Sequence, residues 1–201
     1  MITPNKTQEL ILYLLQRFDK DFGSIELSKL LYLIDVESIR IFGDTLTKEK
    51  YIRKEKGPMI SHLLSYTDKM NGYEIEKIKD ESLGLTSFPK IHHKLGKNPR
   101  FRPSFSDVEI ALIGRVLEKT SGLSPLQLER IAYSTEPMKK ILKLEEIAGH
   151  KLIGCDVDLS TISKNEYFEK WREFNKSYQE PNTKYDEHLE SEKKFFELLV
   201  S

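Results

Sequence analysis

The sequence predicts a mainly α fold (α+β in detail): a helical domain carrying a small β-hairpin or short antiparallel sheet, with a C-terminal helical extension. Three observations lead there. Apolar residues recur at helical spacing through most of the chain. Several of these runs open on Ser or Thr caps or stop at glycine. In two stretches, Lys48–Lys56 and Tyr73–Leu95, the helical period gives way to charge-rich or alternating residues, as extended structure requires.

The bulk properties bound the rest. A chain of 201 residues buries a core without disulfide or metal staples. Lys+Arg and Asp+Glu are 32 each, so no net charge draws the whole molecule to nucleic acid. No apolar run approaches the roughly 18 residues of a membrane span. The start, Met1 to Lys6, has no signal-peptide pattern, and Cys155 is the single cysteine. The expectation is a soluble cytoplasmic protein with no membrane partner and no internal disulfide.

Taken in order, Thr3-Pro4 predicts a first helix, with Leu10, Ile11, Leu14, Leu15 and Phe18 on its inner face and Gly23 at its end. A second helix starts near Ser24. Leu27, Leu30, Leu31 and Ile34 form one face, Tyr32 and Leu33 widen it, and Gly43 is the stop. A helix apolar over so much of its surface belongs at the centre of the core. The charge-rich Lys48–Lys56 stretch, with Tyr51 and Ile52, reads as a short two-strand or extended element. Gly57-Pro58 reads as the start of a third helix, with Ile60, Leu63, Leu64 and Met70 inside. Asn71-Gly72 is a turn, and Tyr73–Leu95 a small hairpin of unassigned register.

Pro99–Pro103 breaks the pattern. Ser106-Asp107-Val108-Glu109 and Ser124-Pro125-Leu126-Gln127 are capping boxes opening two helices, and Pro137 restarts a short one through Leu144. Ala148–Leu159 is loop-like. Ser163–Glu166 caps a helix carrying Tyr167, Phe168, Trp171 and Phe174, and a last amphipathic helix ends near Leu199. The predicted organisation is a domain over residues 1–145 and a helical extension, 146–201, packed on it.

Chemistry-bearing groups are scattered. His62, His92, His93, His150 and His188 lack the spacing that sets two ligands on one helix face. Cys155 stands beside Asp156 and Asp158, which raise rather than lower a thiol pKa. There is no phosphate-binding glycine loop. The expectation is therefore no enzyme, no cofactor and no metal. Two segments suit binding instead. Lys90–Arg102 carries five basic residues, two histidines and no acid, with Phe88, Phe101 and Phe105 interleaved. Its charges suit an acidic protein partner or phosphates. The capped helices between Ser106 and Thr135 have helix-turn-helix spacing, with Gln127, Glu129 and Arg130 at the start of the second. Operator DNA is therefore the alternative partner, and a transcriptional regulator the alternative function.

The order of motifs is more specific than any one of them. Lys29-Leu30-Leu31-Tyr32-Leu33-Ile34-Asp35 is followed by Gly43, Leu46-Thr47, Tyr51 and Gly57-Pro58. This layout resembles the Panacea domain of SocA-like antitoxins, over about Thr3 to Leu144. Phe105-Ser106-Asp107, Leu123-Ser124 and Ser134–Met138 extend the likeness. Lys56, Met59, Thr135 and Met138 depart from it, standing where an aromatic, Val, His and Trp are usual. The resemblance implies a mostly helical domain with a small β element. It also implies a role in toxin-antitoxin systems, of the kind carried by phage and mobile elements: direct binding and neutralisation of a cognate toxin encoded nearby. The namesake member delivers its toxin to a protease. On that reading the contact residues fall in the two charged stretches: Tyr51, Arg53, Lys56, Gly57, Pro58, Arg100, Phe101 and Arg102.

Overall fold

The computed structural model describes residues 5–18, 22–63, 75–80, 90–95, 102–179 and 185–201. It is mainly helical, with two small antiparallel sheets, as the periodicity predicts. Helix α1 (Lys6–Phe18) and strand β1 (Phe22–Gly23) lead into α2 (Ser24–Phe42). A hairpin, β2 (Tyr51–Lys54) and β3 (Gly57–Ile60), and a second pair, β4 (Ile75–Asp80) and β5 (Lys90–Leu95), follow. Helices α3 (Asp107–Thr120), α4 (Pro125–Tyr133), α5 (Glu136–Ala148), α6 (Tyr167–Gln179) and α7 (Tyr185–Val200) complete the described chain.

Helix α2 is the axis. It contacts α1, α3, α4, α6 and β3, and Leu27, Leu31, Tyr32 and Ile34 on it are fully buried. Its C-terminal stop is Gly43, in the left-handed region at φ 83°. A side chain there meets a second obstacle: a Cβ at Gly43 would lie 2.6 Å from the Phe168 ring. The glycine thus ends the helix and admits the C-terminal segment against it. Trp171 packs at a tilt against Phe42 and Phe195, with ring centroids 4.6 and 5.2 Å away. The Asn165 N–H donates to the Arg40 carbonyl (2.9 Å) and Arg115 Nη1 to that of Leu199 (2.8 Å). The C-terminal helices therefore pack on α2 and α3 through an aromatic cluster.

Both predicted capping boxes form, at Ser106/Glu109 and Ser124/Gln127. Three boundaries differ from the sequence reading. Helix α1 starts at Lys6, where Asn5 and Gln8 cap reciprocally (2.8 and 3.0 Å); Thr3-Pro4 lies outside the described residues. Asn165, not Ser163, caps α6 by accepting from the Tyr167 N–H (3.0 Å). Helix α5 runs to Ala148 rather than Leu144. The predicted hairpin near Tyr73–Leu95 is present as β4–β5, in register Ile75 with Leu95 and Asp80 with Lys90; β1 pairs with the other edge of β5. The Asn71-Gly72 turn, Met70 and Leu64 lie outside the described residues.

The largest correction concerns Gly57-Pro58, which opens strand β3 rather than a helix. Arg53 faces Pro58 across the hairpin, while Lys54–Gly57 and Ile52–Met59 flank that pair. Pairs in an antiparallel ladder alternate between hydrogen-bonded and non-hydrogen-bonded. The Arg53 N–H and C=O point the other way, to the Cys155 carbonyl (2.8 Å) and the Gly154 N–H (2.7 Å). Arg53–Pro58 is therefore a non-hydrogen-bonded pair, and the missing N–H of Pro58 costs the ladder nothing. Residues 154–157, read from sequence as loop, flank β2 on that side, with Val157 N–H donating to the Tyr51 carbonyl (2.8 Å).

Candidate functional site

Three polar side chains of α2, one turn apart on one face, tie it to the hairpin, the hairpin's approach and the head of α5. Lys29 is 1% exposed, and its Nζ donates to the Pro58 carbonyl at 2.8 Å; Ser28 Oγ reaches the same oxygen at 3.3 Å. This is the outward carbonyl of β3, otherwise left without a partner in the ladder. Gly57 sits over the Lys29 amine at φ 95°, where a Cβ would lie 3.4 Å from Lys29 Nζ. Tyr32 shares a 2.7 Å hydrogen bond with Thr135 at the head of α5. Asp35, fully buried, accepts from the Leu46 N–H (2.8 Å), the Thr47 N–H (3.1 Å), the Tyr51 hydroxyl (2.7 Å) and the Thr47 hydroxyl.

These are the motif residues read from the sequence, and their spacing now has a cause. Positions 29, 32 and 35 lie on one helix face, each meeting a different segment. Lys29 takes the Gly-Pro strand, Tyr32 the turn between α4 and α5, and Asp35 the Leu46-Thr47 bend with Tyr51. Thr135 supplies the hydroxyl that pairs with Tyr32. Burial sets the ionisation of the three. It raises the Asp35 carboxyl to about 6 against its four donors, and Tyr32 to about 12. It lowers the Lys29 ammonium to about 8, with Glu129 opposing and Arg53 reinforcing.

That lowering has a measurable consequence. The Lys29 amine binds its proton less readily folded (about 8) than at its ordinary 10.5. Between those values the unfolded chain carries the extra proton, so stability rises with pH. Against Lys29→Met, the wild-type chain is expected to gain about 3 kcal/mol between pH 7 and pH 10.5. Urea denaturation at the two pH values measures it. A difference that stays flat or falls would refute the burial of a charged Lys29.

The predicted contact residues divide. The structure corrects the expectation that Tyr51 and Arg53 are surface anchors, because both point inward. Tyr51 is 1% exposed, its ring edge-on to Tyr32 (5.2 Å, 74°). Arg53 is 2% exposed. Its Nε and Nη2 donate to Glu145 at 3.0 and 3.2 Å, its Nη1 to the Tyr133 hydroxyl at 2.8 Å and to the Lys54 carbonyl. Gly57 and Pro58 are buried as well, while Lys56 at the hairpin tip and Arg102 before α3 are exposed. Arg100 and Phe101 lie outside the described residues.

The remaining candidates resolve similarly. Burial pushes the Cys155 thiol up, with Glu145 adding to the effect. Asp158 caps the turn Leu159–Thr161 through the Ser160 N–H (3.1 Å) and pairs with Lys140 (3.2 Å). Among the described residues no three His, Cys, Asp or Glu side chains gather as a metal site, and no helix is long and apolar enough to cross a membrane. At the start of α4, Gln127 is committed to its own cap, accepting from the Ser124 N–H at 2.8 Å. Sequence reasoning missed Glu145 and Tyr133, the partners of Arg53, because both sit far along the chain in helices whose exposed faces look alike.

The architecture is thus a helical domain whose central helix holds the hairpin and its approach through Lys29 and Asp35, and the head of α5 through Tyr32. A family model described as antitoxin SocA-like, Panacea domain, matches residues 27–137, which run from the start of this clamp on α2 to the head of α5. The chain belongs to that family, and so is an antitoxin-like protein. Neither the curated proteins nor the solved structures contain a match to it.

Proposed function

We propose that this chain is a binding protein rather than an enzyme, and neutralises a cognate toxin by direct contact. The observation that carries the reading is the family match across residues 27–137, coinciding with an intact clamp. A rigid hairpin held at its base presents its tip, Lys54–Lys56, to solvent. Rigid presentation lowers the ordering cost of association, which favours a scaffold built to bind.

The experiment is co-expression with the adjacent open reading frame. That product should arrest growth alone, growth should return when both are expressed, and the two should co-elute by size exclusion. Toxin abundance separates two forms of the activity. Sequestration leaves it unchanged, whereas delivery to a protease shortens its half-life. A neighbour that is harmless alone and forms no complex would remove the proposal.

A further inference from the structure

The last two helices are seated on the body by few buried side chains. Among the described side chains of α6 none is buried: Tyr167, Phe168 and Trp171 are half-buried and the others exposed. Helix α7 buries Phe195 and Leu199. Helix α2, by contrast, buries side chains in every turn from Leu27 to Ile41.

Phe42 is the shared contact. Its ring lies 4.6 Å from Trp171 on α6 and 6.4 Å from Phe195 on α7, and those two rings meet each other at 5.2 Å. The two helices are thus one unit resting on one ring, with Arg115 reaching the Leu199 carbonyl (2.8 Å) at its edge. The seam is incompletely filled. A cavity of about 460 Å³ opens beside it, lined by Trp171 and Phe42 together with Lys6, Leu46, Ser106 and Glu109. Side chains that border open space lack partner atoms on that side.

The chain leading into this unit is fixed to the body. The Val157 N–H donates to the Tyr51 carbonyl (2.8 Å), Ile162 is 3% exposed, and the Ser163 N–H reaches the Glu136 carboxylate. The next tie is the Asn165 N–H on the Arg40 carbonyl (2.9 Å), with exposed Lys164 between the two.

We infer that α6 and α7 form a separable cover, which undocks from α2 and α3 as one unit about Ser163–Asn165 while the rest of the fold stays intact. Opening bares Phe42, the Arg40 carbonyl and the Arg115 guanidinium. Lys29, Tyr32 and Asp35 lie on earlier turns of α2 and keep their partners. Such an opening costs less than global unfolding because it exposes the seam alone. The inference stands apart from the antitoxin reading, and the chain by itself tests it.

Trp171 is the single tryptophan, so its fluorescence reports the seam directly. In urea the full chain should lose the native Trp171 signal in a first step, and far-UV circular dichroism should complete its change in a second, later one. Phe195→Ala should move the first midpoint to lower urea and leave the second in place. Asp35→Asn, which acts on the body, should do the reverse. On the unaltered chain, amides of α6 and α7 should exchange at least about tenfold faster than the slowest of α2 and converge on one shared urea dependence. A single step in which both signals coincide, moved alike by both variants, would overturn the cover. Protection in α7 equal to that in α2 would overturn it independently of any variant. Amides of α6 and α7 that never converge would show separate fraying and overturn it too.

Discussion

Replacing Asp35 with alanine is expected to destabilise the chain by about 4 kcal/mol, lowering the melting temperature on the order of 10 °C. The loss comes from the groups left behind. Two buried backbone N–H groups, of Leu46 and Thr47, and two hydroxyls, of Thr47 and Tyr51, lose their acceptor together. Each stranded buried donor costs about 1–3 kcal/mol. The sum is reduced because removing a buried carboxylate also removes its desolvation cost, the cost that raises this group to about 6. Asp35→Asn keeps an acceptor and should lose about half as much. Its pH dependence has a definite sign. The folded pKa lies above the ordinary 3.8, so the Asp35 contribution is fully present below that value and is lost as pH rises through about 6. The advantage of wild type over Asp35→Asn is therefore larger at pH 5 than at pH 7.5. Urea unfolding of the three proteins measures all of this, and an Asp35→Ala loss below about 1 kcal/mol would contradict the network.

How much of this was legible in the sequence depends on the range over which the forces act. Helix caps are local, and Ser106, Ser124 and Gly43 declared themselves because their partners lie within four residues. The apolar width of α2 announced its central position. The strand at Gly57-Pro58 did not, because Pro at a helix start and Pro at a non-hydrogen-bonded strand position look the same in isolation. The two are separated by Lys29, whose amine takes the Pro58 carbonyl from 29 residues away. The inward turn of Arg53 was illegible for the same reason. A charge-rich stretch reads as solvated surface, and the acid that satisfies Arg53 lies 92 residues on. The motif order Lys-x-x-Tyr-x-x-Asp was the one place where long-range structure left a local trace. It did so because three tertiary contacts happen to originate on one face of one helix.

Arg53 offers the sharpest division between a structural and an interfacial role, because the two predict opposite results. As an internal strut it fixes the hairpin to α5 by two hydrogen bonds to Glu145, a third to the Tyr133 hydroxyl and a cation–π contact to the same ring (5.2 Å). The pairing holds Arg53 above, and Glu145 below, their ordinary pKa values, so both stay ionised. Arg53→Met removes one half of this buried pair. Glu145, whose side chain is 10% exposed, then keeps its charge without the guanidinium, which costs about 3–5 kcal/mol. The companion substitution Glu145→Gln discharges the site while still accepting from the Leu152 N–H. The double variant Arg53→Met/Glu145→Gln should therefore recover about half of the loss, and that non-additivity is the signature of a direct pair. Affinity for the toxin, measured on the folded fraction, should change little in the double variant, since the Arg53 side chain is buried and that of Glu145 is only 10% exposed. An Arg53→Met protein of wild-type stability that no longer bound its partner would return Arg53 to the contact surface and remove the strut.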